Sequence, residues 1–229
     1  MPGGAVRPIE HRLVTALYVD LVGSTAIAEQ LDPENLAAVV GTLHQAVRLE
    51  VGRREGSVGA FIGDGVLGVF GLPAAHEDDP ERALRAAQAI LRRFDAVNRD
   101  IGRRLNVALA ARIGVNTGDL LAPTTGDLDL GTLAGDVLNV TARLQEVANP
   151  GQIVVSERTA RSAPSFRFDD LGVVDVRGRA RPVHAFRLAG VGERRPLVVR
   201  GPFLGREDAF GSLRSTFNKV VAEGNPAHV

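Results

Sequence analysis

Two aspartates frame the chemistry open to this sequence. Asp20 closes the apolar run Leu17-Tyr18-Val19-Asp20, and Asp64 sits in Gly63-Asp64-Gly65 between two apolar stretches. A short apolar run of this kind predicts a buried strand. An Asp-Gly pair between apolar runs predicts a tight hairpin with Asp64 at its tip. Both carboxylates would then lie at one end of a sheet. Carboxylates brought together repel unless a divalent cation lies between them, which points to oxygen-ligated Mg²⁺ or Mn²⁺. The plainer reading is two unrelated turn residues.

Gly23-Ser24-Thr25 follows Asp20 at a predicted helix start. Unpaired backbone N–H groups there can hold phosphate oxygens, and glycine lets a ligand approach the chain. An ordinary helix capped by Ser24 or Thr25 is the alternative. Asn139 and Arg143, spaced i, i+4, share one face of a later helix. An amide and a guanidinium converging there suit an anion or a developing negative charge, or form a plain solvated face. Arg177 lies in the basic turn Asp175-Val176-Arg177-Gly178-Arg179, ordinarily an exposed hairpin. The acids of His76-Glu77-Asp78-Asp79 are better explained as helix N-terminal charge than as metal ligands. Asp20-Leu21-Val22 brushes against the Asp-x-Asp nucleophile of haloacid-dehalogenase-type phosphatases, but Val22 removes the general acid.

Composition limits what such a site can be. The chain has 229 residues, 45% apolar and 24% charged, which suits a folded domain with a sizeable core. It has no cysteine, which excludes disulfides, cysteine-ligated metals and thiol catalysis. Lys219 is the only lysine, so no lysine serves phosphate binding or Schiff-base chemistry in the first 218 residues. Basic and acidic residues balance at 27 each, and Tyr18 is the only tyrosine in a chain without tryptophan. Neither a basic footprint nor a stacking platform for nucleic acid is expected. No apolar run approaches the roughly 18 residues of a membrane span, and the start lacks a signal-peptide layout. A cytoplasmic location away from membranes is expected.

The elements that must position these residues follow in order. A lead-in over 1–11 precedes a strand over 12–20 and a short helix. Asp32-Pro33-Glu34 opens a helix with Leu36, Val39, Val40, Leu43 and Val47 on one face. Strands at Ser57–Ile62 and Val66–Phe70 form the hairpin. Asp79-Pro80-Glu81 opens a second long helix with a stripe of Leu84, Ala87, Leu91 and Phe94, followed by a strand through Val107–Ile113. Residues 122–134 read as a polar loop. A third helix from about Asp136 carries Val137, Val140, Leu144 and Val147 inward and stops at Asn149-Pro150-Gly151. Strands at Gln152–Val155 and within 166–188 finish the domain. The order is that of an α+β, ferredoxin-like β-α-β-β-α-β core with C-terminal extensions, a fold with many functions. Residues 191–202 read as a linker, and 203–229 as the start of a further helical unit.

Taken together, Leu17–Thr25, Phe61–Val66 with Val69-Phe70-Gly71, Arg112–Gly118, and Gly135–Leu144 running on to Pro150-Gly151 resemble the class III nucleotidyl cyclase catalytic domain. The resemblance covers about residues 12–190. It is closest to bacterial cyclases fused to a regulatory ATPase, because Pro202-Phe203-Leu204-Gly205-Arg206-Glu207 resembles the opening of that module. No Gly-x-x-x-x-Gly-Lys-Ser/Thr loop follows, so ATPase activity is not expected from this chain. The resemblance implies adenylate cyclase activity, ATP giving cyclic AMP and pyrophosphate with two Mg²⁺ or Mn²⁺ ions per site. It implies that Asp20, Asp64 and the Leu21 carbonyl hold metal, that Asn139 orients the ribose, and that Arg143 stabilises charge at the α-phosphate. Arg177 stands where the family usually has a phosphate-binding lysine. A homodimer is implied, with the aspartates of one subunit facing Asn139 and Arg143 of the other.

The base-reading positions depart from the family. Ala60 occupies the usual lysine position, and Thr132 the partner position, where Thr is an accepted type. A methyl group offers adenine no hydrogen bond, whereas a hydroxyl can face adenine or guanine. ATP is the expected substrate, with weak selectivity over GTP. The competing expectation is a degenerate cyclase that binds nucleotide or dimerises and regulates an attached ATPase. A diguanylate cyclase is excluded by the missing Gly-Gly-Asp/Glu-Glu-Phe segment.

Overall fold

In the computed structural model, the described residues are 9–62, 64–123, 135–174, 182–192, 211, 212 and 214–218. The chain divides into two compact units, Met1–Arg194 and Arg195–Val229. Of the second unit, residues 211, 212 and 214–218 are helical. The polar loop from 124 on, Thr132, Arg177, most of the linker 191–202 and most of 203–229 lie outside the described residues.

The first unit is a mixed α+β fold on one seven-stranded sheet of order β2-β3-β1-β4-β5-β7-β6. Strand β1 is Ile9–Leu21, β2 is Ser57–Ile62, β3 is Gly65–Phe70 and β4 is Ala111–Pro123. These four pair antiparallel in the order β2-β3-β1-β4, the ferredoxin-like core expected from the sequence. Strand β5 (Ile153–Ser156) joins β4 in parallel, and β7 (Val183–Val191) and β6 (Phe166–Val174) extend the sheet antiparallel.

Between β1 and β2 run α1 (Ser24–Gln30) and α2 (Pro33–Gly52). The Asp32 side chain accepts the Asn35 backbone N–H at 2.9 Å and caps α2, with Pro33 in its first turn, as the sequence predicts. Between β3 and β4 run α3 (Asp79–Val97), a π-helical turn over Asn98–Gly102 and the short α4 (Arg103–Leu105). Helix α5 (Asp136–Val147) follows β4, and α6 (Glu157–Arg161) follows β5. One face of the sheet packs Leu17, Val19, Phe70, Ile113 and Val115 against α2 and α3. The other face packs Val14, Ala16, Val69 and Leu120 with Val137 of α5.

Several boundaries differ from the sequence expectation, each for a local reason. Strand β1 begins at Ile9 because it pairs with β4 as far as Pro123. Strand β4 starts at Ala111, beyond Val107 and Leu109. The chain from α4 first folds back, with the Val107 N–H on the Gly102 carbonyl and the Leu109 N–H on the Asn98 side chain. Helix α1 has Gly23 rather than Ser24 or Thr25 at its N-cap, at φ 67°, a left-handed conformation that glycine tolerates. Val147 is exposed rather than inward. The short α6 has no apolar periodicity long enough to announce it. The His76–Asp79 acids serve the start of α3, where Asp79 Oδ2 accepts the His76 backbone N–H at 2.8 Å.

Candidate active site

Register brings the two aspartates together. Asp20 stands one residue before the end of β1, and Asp64 stands in the turn between β2 and β3. Strand β3 pairs with β1 through Val66 opposite Val19, so the hairpin turn lies beside the end of β1. The two carboxylates are neighbours, with Asp64 acting on Asp20 through its charge and a side-chain hydrogen bond. Burial raises the pKa of Asp20; Arg112 opposes this by hydrogen bond and charge, and the Asp64 carboxylate adds to it. Two residues earlier on the same strand face, burial raises the Tyr18 phenol, and the charges of Asp20 and Asp64 add to the effect. Tyr18 also roofs the hairpin: a β-carbon on Gly65 would lie 2.4 Å from its hydroxyl.

Two residues to which the sequence reading gave no role complete this corner. Arg112 lies directly opposite Asp20 in the β1–β4 ladder. It donates to Asp20 Oδ2 from Nε at 3.2 Å and from Nη2 at 3.0 Å, and its Nη1 reaches the Glu146 carbonyl. Gln145, on α5, donates from Nε2 to the same oxygen at 2.8 Å. Arg112 is legible only once the register is known. Gln145 is visible in the sequence as a polar residue beside the apolar stripe of α5.

Does the corner suit a cation? Asp64 Oδ2 is buried and accepts no hydrogen bond among the described residues. A buried, unpartnered carboxylate oxygen beside a second carboxylate is costly unless a cation supplies the missing interaction. The donor set, all oxygen and anionic, fits Mg²⁺ or Mn²⁺. Leu21 has its side chain in the core, so only its backbone can face the site. No wider cluster of His, Asp and Glu suits a metal among the described residues.

Gly23, Ser24 and Thr25 follow directly, at the start of α1, which has no side-chain cap. On α5, Asn139 is exposed, and Arg143 pairs with Glu146 at 2.7 and 2.6 Å. They belong to the outer part of the helix, away from its buried residues Val137, Val140, Thr141, Leu144 and Gln145. Ala60 lies on β2 where the ladder to β3 shifts register between Val58 and Phe61. Thr132 and Arg177 lie outside the described residues.

A seven-stranded α+β sheet with a carboxylate pair where the end of β1 meets the β2–β3 turn defines a class that comparison with known proteins makes specific. Residues 6–190 match the family profile of the Adenylate and Guanylate cyclase catalytic domain, and the chain belongs to that family. It is similar to the adenylyl cyclase CyaB from P. aeruginosa, at 25% identity and a TM-score of 0.73 over 83% of this chain and 99% of that one. It is likewise similar to the guanylyl cyclase Cya2, at 29% identity and a TM-score of 0.71 over 82% and 96% of the two chains. In sequence, it is 30% identical over 183 residues to the Putative adenylate cyclase 3 of Rhizobium meliloti (strain 1021), covering 79% of this chain and 29% of that protein. The chain thus spans less than a third of that relative's length. No helix among the described residues is long and apolar enough to cross a membrane.

Proposed function

We propose that this chain is the catalytic domain of a metal-dependent adenylate cyclase that converts ATP to cyclic AMP and pyrophosphate at a homodimer interface in the cytoplasm. The observation that carries the reading is the Asp20–Asp64 pair, with Asp64 Oδ2 buried and unpartnered among the described residues. Asp20, Asp64 and the Leu21 carbonyl would hold two Mg²⁺ or Mn²⁺ ions. Such ions, when bound, lower the pKa of the ribose 3′-hydroxyl and neutralise the triphosphate.

The chain's own residues supply the rest. The uncapped first turn of α1, from Gly23 through Ser24 and Thr25, directs backbone N–H groups toward the triphosphate. Asn139 of the opposite subunit orients the ribose, so the 3′-oxygen lies in line with the α-phosphorus. As that oxygen bonds to the α-phosphorus, the hydroxyl proton passes to water, and the bond from the α-phosphorus to the oxygen bridging to the β-phosphate breaks, which releases pyrophosphate. Arg143, released from Glu146, meets the charge that builds on the α-phosphate oxygens. Arg177 meets the departing pyrophosphate, its guanidinium replacing the usual lysine. Thr132 reads the base alone, since Ala60 adds no polar contact, and GTP competes as a weaker substrate. Relatives in Rhizobium meliloti (strain 1021) named Putative adenylate cyclase 3 and Adenylate cyclase 1 support ATP as the main substrate. The resemblance of residues 202–207 to an ATPase opening supports reading the second unit as the start of an attached regulatory module.

Product analysis tests this. The chain and its Asp64→Ala variant are given ATP and GTP in competition, with Mn²⁺. Cyclic AMP from the first and none from the second is the expected result. No cyclic product at concentrations that support a dimer would overturn the reading and favour a regulatory module.

A further inference from the structure

Helix α5 buries two polar side chains: Thr141, whose hydroxyl donates to the Val137 carbonyl of its own helix at 2.6 Å, and Gln145, which neither the helix backbone nor the ribose and phosphate assignments use. Gln145 is 3% exposed, a burial comparable to that of the apolar core. A buried amide costs free energy unless its hydrogen bonds are satisfied, so an apolar residue is the default at such a position. Its Nε2 donates to Asp20 Oδ2 at 2.8 Å, across 125 residues of sequence.

The amide is held there by the way the helix meets the sheet. Gly114 of β4 lies directly beneath α5. A β-carbon at that glycine would stand 2.2 Å from the Thr141 carbonyl oxygen and 2.5 Å from the Gln145 backbone nitrogen. Helix and strand backbones are therefore in contact with no side chain between them, and α5 cannot settle lower or turn without a clash. At the helix start, Asn116 Nδ2 donates to the Val137 carbonyl at 3.0 Å. At its end, Arg112 Nη1 donates to the Glu146 carbonyl at 3.2 Å. Both ends are pinned to β4, and Gln145 lies one residue before the second pin.

Among the described residues, three N–H donors, two from Arg112 and one from Gln145, converge on Asp20 Oδ2. A carboxylate held by one oxygen has its plane and its second oxygen fixed. We propose that Gln145 is a positioning residue for Asp20: with Arg112 it engages Oδ2 and so presents Oδ1 to a divalent cation shared with Asp64. This rests on the metal-dependent reading given above. It also makes α5 serve two purposes, since the helix that carries Asn139 and Arg143 outward orients a metal ligand inward. Arg112 compensates charge as well as orienting the carboxylate, whereas Gln145 is neutral, so its removal isolates orientation.

The test uses the full chain and Mn²⁺ alone, with free Mn²⁺ counted by electron paramagnetic resonance. Gln145→Met keeps the volume and removes the donor, and Gln145→Leu is the second variant should the first fail to fold. Mn²⁺ affinity is expected to fall about 10-fold or more, as for other residues that orient metal ligands. The melting temperature is expected to stay within a few degrees, and the apparent KM for Mn²⁺ in turnover to rise more than kcat falls. A folded variant with unchanged Mn²⁺ affinity would overturn the assignment while leaving the metal site intact. Absence of any Mn²⁺ binding that Asp20→Ala abolishes would instead sink the metal reading, and this assignment with it.

Discussion

Arg143 and Glu146, one turn apart on α5, are bound to each other through both carboxylate oxygens, at 2.7 and 2.6 Å. The pair lies at the surface, with side chains 35% and 50% exposed. An exposed ion pair of this kind is worth about 0–1 kcal/mol. Glu146 therefore acts as a light clasp on the guanidinium assigned to the α-phosphate. Replacing it with Gln should free Arg143 and raise kcat/KM by up to about 5-fold, the factor equivalent to that pair energy. A steady-state comparison at fixed Mn²⁺ measures the change; a fall in kcat/KM would show that Glu146 helps to hold Arg143 in its working position.

The assignment of Asp20 and Arg143 to opposite subunits predicts complementation. Asp20→Ala and Arg143→Ala should each be inactive alone. Mixed in equal amounts, half of the dimers would be heterodimers, each with one intact site of two, which restores about a quarter of wild-type activity. Activity assays after mixing and re-equilibration measure this. Failure to recover any activity, with heterodimers demonstrated, would place both residues in one subunit's site.

Much of this corner is legible in the sequence. The Asp-Gly pair placed Asp64 in a turn, and the apolar run placed Asp20 at a strand end, because both signals are local. The ferredoxin-like order followed from the alternation of elements. What stayed hidden depends on non-local pairing. Arg112 faces Asp20 only through the register of two 13-residue strands, and nothing within either strand encodes that partner. Gln145 reaches Asp20 only because Gly114 lets α5 rest on β4. The start of α1 differs from the sequence expectation for another reason: Ser24 and Thr25 are good caps by type, but the left-handed turn requires Gly23.

Ala60 governs the expected base selectivity. It lies on β2 beside the register shift, at the position where the family resemblance expects a lysine. Ala60→Lys would add one charged donor for the adenine ring, worth about 1.5–3 kcal/mol if well placed. The ratio of cyclic AMP to cyclic GMP formed in competition should then rise at least about 10-fold. An unchanged ratio would mean that β2 does not contribute to base recognition in this chain.

Stability has its own buried charge to test. Glu50 of α2 is 5% exposed and joins α2 to α3, accepting from Arg54 at 2.8 Å and from Arg93 at 2.9 Å. Burial alone would raise its pKa; the hydrogen bonds and charges of Arg54 and Arg93 more than reverse this and hold it below 4.5. A carboxyl whose folded pKa is depressed contributes stability that is present above its unfolded pKa. That contribution is lost as pH falls through the folded value. Glu50→Gln keeps the shape and removes the charge, and should cost about 1–2 kcal/mol at pH 7, because the arginines it releases partly regain water. The wild-type advantage in melting temperature should therefore be full at pH 7 and shrink only in acid, as pH falls below the ordinary glutamate range and through the depressed folded-state pKa. Paired thermal melts across that range measure it. An advantage that persists unchanged at low pH would mean that packing of the side chain, not its charge, joins the two helices.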